Sequence, residues 1–471
     1  MELARSAHTD SFCRDNLPAQ ALWPEFIFDL PDVQYPERLN CAVELLDRTV
    51  EEHGADRPCL RSPDGTVWSY GDLLARANQV ANTLVTEHGL QPGNRVMLRG
   101  PNNLWLAATW FGVLKAGGVV VPTMPLLRPR ELSTMAEIGR FTLAVCDSRF
   151  VDDLAAAGIR DLTIVAYGGD SPDDLTRTSA RHPDTFDNVD TSADDVSMLA
   201  FTSGTTGRPK ATMHFHRDVL ANADTFSKHV LRPTKDDLFT GTPPIAFTFG
   251  LGGLIVFPLR VGASTLLVEK ATPDQLAGLI AEHAVTVCFT APTAYRAMIA
   301  SGNVDKVQSL RRAVSAGEHL PVATWEAFKD ATGVELIDWI GSTEMLHIFI
   351  RDEDGYFWYQ ARSDDMIVSS GYNISGPEVE EAIVTHPDVL ESAVVGTPDE
   401  ARGSVVKAYI VLKEGLDSVP SEEARAAKAK QIQDHVKRAI APYKYPRQIE
   451  FIAALPRTST GKVQRFRLRQ K

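Results

Sequence analysis

The sequence predicts an α/β protein in two parts: a large N-terminal domain of mostly parallel sheets flanked by helices, and a small, mobile α+β domain at the C-terminal end. Two observations support this fold class. Between residues 40 and 314, helical stretches alternate with short apolar stretches, as expected for parallel strands joined by crossover helices. A chain of 471 residues is also too long for one ordinary core, so we expect more than one domain.

The N-terminal elements follow each other in a regular order. Residues 70–87 and 103–115 carry apolar side chains at helical spacing or as a continuous apolar face, so we predict two helices there. Strands are predicted for the short apolar runs that lie between polar segments. These runs are residues 95–98, 118–122, 143–146, 162–166, 198–201, 265–268 and 286–289.

The C-terminal region has its own pattern. Two strand-like runs are followed by a charged linker, a helix and a last short strand, which together indicate a compact α+β unit. We place the domain boundary between residues 361 and 362, giving domains 1–361 and 362–471. The elements are residues 392–395, 405–412, 413–423, 424–440 and 448–452.

Composition excludes several classes of protein. The 44% apolar and 23% charged residues are average for a globular protein, and 61 acidic against 48 basic residues give a net charge of −13. This balance argues against binding to nucleic acids or anionic membranes. No signal-peptide pattern or clean run of about 20 apolar residues is present, and the five scattered cysteines suit idle thiols. We expect a cytoplasmic protein.

A loop rich in threonine, serine and glycine follows the strand predicted at residues 198–201. Its glycines permit close backbone approach, and its hydroxyl and N–H groups suit a phosphate. It lacks the spacing of a Walker loop, and the alternative is a polar surface turn. The residues are Thr202, Ser203, Gly204, Thr205, Thr206, Gly207 and Lys210.

This loop resembles the phosphate loop of the adenylate-forming superfamily, which includes acyl- and aryl-CoA ligases, firefly luciferase and peptide-synthetase adenylation domains. Further motifs follow in the family's order. Residues 315–321 resemble its adenine-side loop, and residues 338–344 resemble the segment that stacks on adenine. Residues 362–373 resemble the hinge between the domains, and residues 456–462 the loop of the catalytic lysine. Five ordered motifs make chance agreement implausible.

The resemblance implies roles for single residues. Joining a carboxylate to the α-phosphate of ATP brings two anions together, so Mg²⁺ must neutralise charge. By resemblance, Glu344 is the protein ligand of Mg²⁺, Thr343 contacts a phosphate, and Lys462 grips the charge that develops at the α-phosphate. The other ATP-binding residues that the resemblance implies are Gly317, Glu318, Trp339, Ile340, Gly341 and Arg362.

The hinge motif implies a second conformation. By resemblance, Arg362 reaches the ribose hydroxyls and Asp364 is the pivot between the domains. After adenylation the small domain of the family swings, Lys462 leaves, and the loop at Ser370, Gly371 and Tyr372 lines the tunnel of the thiol donor, coenzyme A. Without the family, Asp364 reads equally well as a turn or helix-capping residue.

Residues 243–253 lie where the family builds its acid pocket. Together with residues 344–349, 371–380 and 29–40, they resemble benzoate- and 2-aminobenzoate-CoA ligases in particular. A flat aromatic acid suits a slot with aromatic and glycine walls. Benzoate, 2-aminobenzoate and 2-hydroxybenzoate stay open, as do medium-chain and alicyclic acids. The pocket candidates are Ala246, Phe247, Phe249, Gly250, Gly317, His347 and Ile348.

The thiol acceptor is predicted to be coenzyme A, because no carrier domain follows Lys462 in the sequence. A stand-alone enzyme that loads a separate carrier protein is the alternative. The expected ligands are therefore an aromatic acid, ATP, Mg²⁺ and CoA, and a homodimer is one assembly that the sequence leaves open.

One departure from the family is large. Only 17 residues separate Glu344 from Arg362, whereas family members have several dozen more, including a β subdomain and an Asp that clasps the ribose hydroxyls. Asp352 and Asp354 are poor substitutes, since they resemble a hairpin turn that follows that motif. Either the protein lacks this piece, or the sequence omits a segment between Ile350 and Arg351. We expect the second, because the other motifs are intact; the remaining hypothesis is a catalytically silent relative that binds ligands.

Overall fold

The computed structural model describes residues 3–202, 209–317, 320–338, 340–350, 366–369, 372–399, 403–440, 442–457 and 463–469. The described residues form two compact units. The first contains residues up to 316 and residues 322–350, and the second contains residues 317, 320 and 321 together with the described residues from 366 onward. Each unit is presented by itself below.

The strands of the first unit form two large sheets and a hairpin. One sheet has the order β6-β5-β3-β4-β7-β8, and the other has the order β13-β12-β11-β9-β10-β1-β2. The strands are β1 (Pro58–Arg61), β2 (Val67–Ser69), β3 (Arg95–Arg99), β4 (Val119–Thr123), β5 (Leu143–Asp147), β6 (Thr163–Tyr167), β7 (Val196–Thr202), β8 (Lys210–Phe215), β9 (Leu238–Gly241), β10 (Ser264–Leu267), β11 (Val287–Thr290), β12 (Arg312–Ser315), β13 (Leu336–Asp338), β14 (Ile340–Gly341) and β15 (Ile348–Ile350).

Most neighbouring strands in both large sheets are parallel, as predicted. The exceptions among the described strands are β8, which runs antiparallel to β7, and β2, which runs antiparallel to β1. The helices connect these strands. They are α1 (Phe12–Asp15), α2 (Arg48–His53), α3 (Tyr70–Thr86), α4 (Leu104–Lys115), α5 (Pro129–Gly139), α6 (Val151–Ala156), α7 (Leu175–Thr178), α8 (His216–Asn222), α9 (Thr248–Leu251), α10 (Phe257–Arg260), α11 (Pro273–His283), α12 (Pro292–Ala300) and α13 (Val322–Thr332).

Helices α3 and α4 show how the sequence sets its own boundaries. Ser69 and Asp72 form a reciprocal capping box at the start of α3, so the helix begins where its first free N–H groups find acceptors. Asn103 caps α4 by accepting a hydrogen bond from the Leu106 N–H at 2.9 Å. Helix α4 is apolar on nearly every side and buried, which is typical of a helix inside a core. Its last residue, Lys115, is buried and bonds the Asp47 carboxylate at 2.5 Å.

The second unit is an α+β structure with its own apolar core. Strand β18 pairs antiparallel with β19, which pairs in parallel with β20. Buried aliphatic side chains of β18, β19, α14 and α15 pack together. The elements are β16 (Met366–Ser369), β17 (Tyr372–Ser375), α14 (Gly376–Val384), β18 (Val389–Asp399), β19 (Gly403–Leu412), α15 (Glu422–Ala439), β20 (Gln448–Phe451) and α16 (Arg465–Arg469).

The predicted fold class is confirmed: parallel-rich sheets with helices form the larger part, and a smaller α+β unit follows. The exact domain boundary at residues 361 and 362 lies outside the described residues and stays a prediction. Within the part of the chain that the structure describes, no helix combines the length and apolarity that crossing a membrane requires.

Candidate active site

Two of the predicted motifs lie at one edge of the seven-stranded sheet. Strands β9, β11, β12 and β13 run parallel, so their carboxyl ends share one edge. The acid loop, residues 242–247, follows β9, and residues 340–344 follow β13. Loops at the carboxyl ends of parallel strands are the usual place for ligand sites in α/β proteins. The fold therefore gathers motifs that lie far apart in the sequence.

The β14–β15 hairpin presents Thr343 and Glu344 at its tip. Strands β14 and β15 pair antiparallel, and the turn between them is closed by a hydrogen bond from the Ser342 N–H to the His347 carbonyl at 3.2 Å. A side chain at Gly341 would place its Cβ 2.8 Å from that same carbonyl oxygen, so the hairpin requires glycine there. Glu344 is exposed and Thr343 is half-buried. The geometry suits a carboxylate that meets a ligand from solvent.

The turn changes direction at Leu346. Its φ of 66° lies in the left-handed region, which costs free energy in a residue other than glycine. The Leu346 side chain is only 4% exposed, and we attribute the tolerated strain to this burial. Leu346, His347 and Ile348 are all buried in the first unit, only two residues after the exposed Glu344.

His347 lies inside a cluster of phenylalanine rings. Its ring centroid is 4.6 Å from that of Phe257 and 5.5 Å from those of Phe226 and Phe249, with Phe289 at 6.2 Å. Burial lowers the pKa of His347 to about 3, so the ring is neutral near pH 7. A backbone hydrogen bond with Phe249 partly offsets this lowering, and the ring nitrogens have no other hydrogen-bond partner among the described residues. A buried polar atom without a partner costs about 1–3 kcal/mol, so the remaining nitrogen suits contact with a ligand.

Glycines let the helical segment after the acid loop approach this cluster. A Cβ on Gly252 would lie 2.4 Å from His347 Cδ2, and one on Gly253 would lie 2.6 Å from the Phe289 ring. A Cβ on Gly250 would meet the Pro244 carbonyl oxygen at 2.1 Å. Each distance is far below van der Waals contact, so the sequence Gly-Leu-Gly-Gly is required by packing.

Of the predicted acid-pocket residues, the structure brings Phe249, His347 and Ile348 into one core. Phe247 is half-buried and is the residue before α9, and Ala246 lines a narrow cavity beside the acid loop. Phe226, Phe257 and Phe289 were not predicted as pocket residues, because no local motif marks them. They reach His347 through the fold, from three different segments.

His214 is a further residue that the sequence analysis missed. It lies on β8, is 3% exposed, and its Nε2 is 3.1 Å from the Thr212 hydroxyl. Burial lowers its pKa to about 4, partly offset by a hydrogen bond with the Thr343 backbone and by the charge of Glu344. A neutral histidine therefore lies behind the hairpin tip, where it supports the backbone of Thr343.

Residues Thr202 and Lys210 of the predicted phosphate loop face each other at the open end of the β7–β8 ladder. Lys210 is exposed, and Gly317 has a φ of 92°, which favours glycine. Several predicted residues lie outside the described residues: Ser203, Gly204, Thr205, Thr206, Gly207, Glu318, Trp339, Arg362, Asp364, Ser370, Gly371 and Lys462. The backbones of Ile340 and Tyr372 are described as parts of β14 and β17.

The site fits a magnesium ion that arrives with a nucleotide better than a resident metal. Within the described ranges, no group of three or more His, Cys, Asp or Glu side chains is arranged to hold a metal. Mg²⁺ commonly takes only one or two carboxylates and completes its shell with water and phosphate oxygens. The exposed carboxylate of Glu344 suits that mode.

Two family models match the chain in succession. The model of the AMP-binding enzyme matches residues 46–383, and that of the AMP-binding enzyme C-terminal domain matches residues 378–462. The chain belongs to the AMP-binding enzyme family. The predicted superfamily is thereby confirmed, and with acid–CoA ligases among its relatives the chain is an AMP-forming acid–thiol ligase.

Individual relatives extend this result. The benzoate–CoA ligase of Thauera aromatica is 31% identical over 520 residues, with 93% of this chain and 97% of that protein covered. The crystal structure of the anthranilate CoA ligase AuaEII with anthranoyl-AMP has a TM-score of 0.84 at 30% identity, covering 94% of this chain and 98% of the other. A benzoate CoA ligase from Burkholderia xenovorans LB400 gives 0.79 at 28% identity, with 92% and 100% covered.

The alignment with the Thauera protein is longer than this chain, 520 positions against 471 residues. The relative therefore carries residues with no counterpart here. This agrees with the shortened interval between Glu344 and Arg362, although Arg351, at the junction itself, lies outside the described residues.

Proposed function

We propose that this enzyme activates an aromatic carboxylic acid of the benzoate, 2-aminobenzoate or 2-hydroxybenzoate type with ATP and transfers it to coenzyme A. The observation that carries the proposal is the cluster of phenylalanine rings around the buried, neutral imidazole of His347. Aromatic walls favour a flat ring, and a neutral imidazole donates one hydrogen bond to a carboxylate or an ortho substituent. The ligases for benzoate and anthranilate among its relatives support the same acid class.

The chemistry has two steps. A carboxylate oxygen of the acid attacks the α-phosphorus of ATP, the bond to the bridging oxygen breaks, and pyrophosphate leaves. The sulfur of coenzyme A then attacks the acyl carbon, its thiol proton goes to solvent, and AMP leaves with the C–O electron pair. Mg²⁺ bound with ATP would lower the charge repulsion of the first step. Glu344 is the residue that would hold it, and Thr343 lies beside it to contact a phosphate.

The acid class is tested by measuring pyrophosphate release with a panel of acids. We expect benzoate, 2-aminobenzoate or 2-hydroxybenzoate to give kcat/KM values at least about tenfold above cyclohexanecarboxylate and octanoate, because only a planar ring fills an aromatic slot. A preference for octanoate or cyclohexanecarboxylate would contradict the aromatic assignment. Absence of turnover with every acid, from protein of verified length, would favour the silent relative.

The acceptor is tested separately, because the same adenylate serves either thiol. Supplied with CoA or with a phosphopantetheinylated carrier protein, the enzyme should acylate CoA. Transfer to the carrier alone would support the stand-alone loading enzyme. In this proposal Ser370, Gly371 and Tyr372 contact CoA, and Asp364 is the hinge between domains 1–361 and 362–471.

Substitution of Lys462 should affect the two half-reactions to different extents. Its role rests on the resemblance, since it lies outside the described residues. Lys462→Ala should reduce acid-dependent pyrophosphate release by about 10²- to 10³-fold, the scale of losing one group that stabilises developing charge. Transfer from chemically supplied acyl-adenylate to CoA should fall much less. Equal loss of both half-reactions would contradict the role.

We further propose that the enzyme works in the cytoplasm. All five cysteines are free and buried, which suits a reducing compartment.

We also propose that the functional protein contains a segment between Ile350 and Arg351 that this sequence lacks. The intact mass of the protein expressed from its own gene tests this proposal. A mass equal to that of the 471-residue sequence would contradict a missing segment.

A further inference from the structure

The acid loop is held by the side chain of a residue from another part of the first unit. Asn102, which is 3% exposed, donates a hydrogen bond from Nδ2 to the Pro243 carbonyl at 3.0 Å. Its Oδ1 accepts a hydrogen bond from the Ile245 N–H at 2.7 Å. One amide group thus bonds both ends of a three-residue backbone segment. Neither family resemblance nor local pattern pointed to this residue.

The residue that follows Asn102 is held in place by several hydrogen bonds. This residue, Asn103, caps α4, and its Nδ2 lies 3.2 Å from Asp147 Oδ2 and 3.3 Å from Glu269 Oε1. Arg149 bonds both of these carboxylates at 2.8 Å. Asp147 ends β5 in the six-stranded sheet, and Glu269 follows β10 in the seven-stranded sheet. Asn102 is therefore fixed relative to both sheets.

The acid loop is closely packed against its neighbours. The cavity beside it measures only about 10 Å³, and its walls include Leu106, Trp110 and Pro122 together with Ile245 and Ala246 of the loop. Gly250 contacts the Pro244 carbonyl so closely that it admits no side chain. Any shift of the loop is thus transmitted to α9, which carries Phe249.

We infer that Asn102 is a positioning residue that sets the shape of the acid slot by holding the backbone of residues 243–245. This rests on the proposed function, because the loop precedes Phe249 in the aromatic cluster around His347. Without the amide, the Pro243 carbonyl and the Ile245 N–H lose their partner, the loop backbone shifts to find new ones, and the distance between the loop and the aromatic cluster changes. The acid then binds less tightly and is selected less sharply, while ATP binding is retained.

The test compares Michaelis constants for the two substrates. Asn102→Ala removes both hydrogen bonds, and the isosteric Asn102→Asp keeps the acceptor for Ile245 but puts a carboxylate oxygen against the Pro243 carbonyl. Both variants should raise KM for the aromatic acid about tenfold or more, the scale of one or two lost hydrogen bonds. KM for ATP should stay within about twofold, and the ratio of kcat/KM between benzoate and its ortho-substituted analogues should move toward one, whichever acid the wild type prefers.

Asn40→Ala is the matched control. Asn40 is 7% exposed, donates to the Leu114 carbonyl at 2.8 Å and accepts from the Ala42 N–H at 3.0 Å, but it does not touch the acid loop. It should lower Tm like Asn102→Ala and leave both KM values unchanged. If the Asn102 variants behave like Asn40→Ala, or raise both KM values equally, the inference is overturned.

A measurement on the wild type decides the matter if neither variant folds. The Ile245 amide should exchange with solvent deuterium slowly, and more slowly still with bound acid; rapid exchange in both states would overturn the inference. A different result would contradict the proposed function: pyrophosphate release that occurs only with a non-aromatic acid. The KM comparison is then run with that acid, so the role of Asn102 is still decided.

Discussion

Glu344 and His347 lie three residues apart on one hairpin, yet their surroundings are opposite. Glu344 is exposed at the tip, whereas His347 is 3% exposed among phenylalanine rings. The left-handed backbone of Leu346 separates the two environments. A short motif thus divides into a polar half suited to phosphates and metal and an apolar half suited to an aromatic ring. In the proposed enzyme, this one hairpin would contact both the nucleotide and the acid.

The largest effect is expected when the exposed carboxylate of Glu344 is removed. Glu344→Ala should slow acid-dependent pyrophosphate release by about 10²- to 10³-fold, or about 2.7–4 kcal/mol of transition-state stabilisation, because the charge that holds Mg²⁺ against the phosphates is lost. Tm should change by less than about 2 °C, since an exposed side chain contributes little to stability. Raised Mg²⁺ should recover part of the activity.

Glu326→Ala supplies the control, because Glu326 is an exposed glutamate on α13 outside the predicted motifs. It should leave both rate and Mg²⁺ dependence as in the wild type. A Glu344→Ala enzyme with normal rate at limiting Mg²⁺ would show that the tip carries no metal-binding role.

The packing around His347, on the apolar side of the hairpin, is tested by a substitution at Gly252. The added methyl group of Gly252→Ala would lie 2.4 Å from His347 Cδ2 and 3.0 Å from Phe257 Cζ, so the histidine must move. Overpacking of this kind costs about 1–3 kcal/mol, measurable as a fall in Tm and in denaturant midpoint. KM for the aromatic acid should rise, with KM for ATP less affected.

Gly278→Ala is the matched variant for Gly252→Ala. Gly278 is inside α11, and a Cβ there would meet nothing within 4 Å. Alanine is the better helix former by about 1 kcal/mol, so this variant should be slightly more stable and kinetically unchanged. Equal stability of the two variants would mean that His347 has free space around it, against the packing described above.

Much of the fold could be predicted from the sequence because apolar runs alternate with polar segments, and the apolar runs are the parts of the chain that become buried. Helix α3 was expected at residues 70–87 and occupies Tyr70–Thr86, and the strand expected at 95–98 is Arg95–Arg99. Strand β8 was missed, since its six residues mix lysine, threonine and histidine with apolar side chains. Its strand form depends on pairing with β7, which local sequence does not report.

The candidate site could be predicted only where a motif is local. Glu344 and His347 were found because they belong to one recognisable segment. Phe226, Phe257 and Phe289 were not, since their meeting around His347 depends on the packing of three distant elements. Asn102 was missed for the same reason: its bond to Ile245 spans 143 residues. Spacing along the chain indicates which residues are buried, but not which partners they meet.

The smallest effect concerns the buried histidines and pH. Burial lowers the pKa of His216 and of His347 to about 3 and that of His214 to about 4, against about 6.5 in the unfolded chain. Between these values the unfolded state binds more protons than the folded state, so the free energy of unfolding falls as pH falls below about 6.5. Each such group contributes a slope of at most about 1.4 kcal/mol per pH unit.

His216→Asn removes one of these contributions at a residue whose ring bonds Cys41. The asparagine Oδ1 can accept the hydrogen bond that the Cys41 N–H now gives to His216 Nδ1 at 3.1 Å. Between pH 6.5 and 5.5, the free energy of unfolding from urea titrations should depend on pH less steeply than in the wild type, by about 1 kcal/mol per pH unit. Val219→Ala, a truncation of a fully buried side chain on the same helix, should lower stability without changing the slope. If His216→Asn keeps the wild-type slope, protonation of His216 is not what weakens the fold in acid.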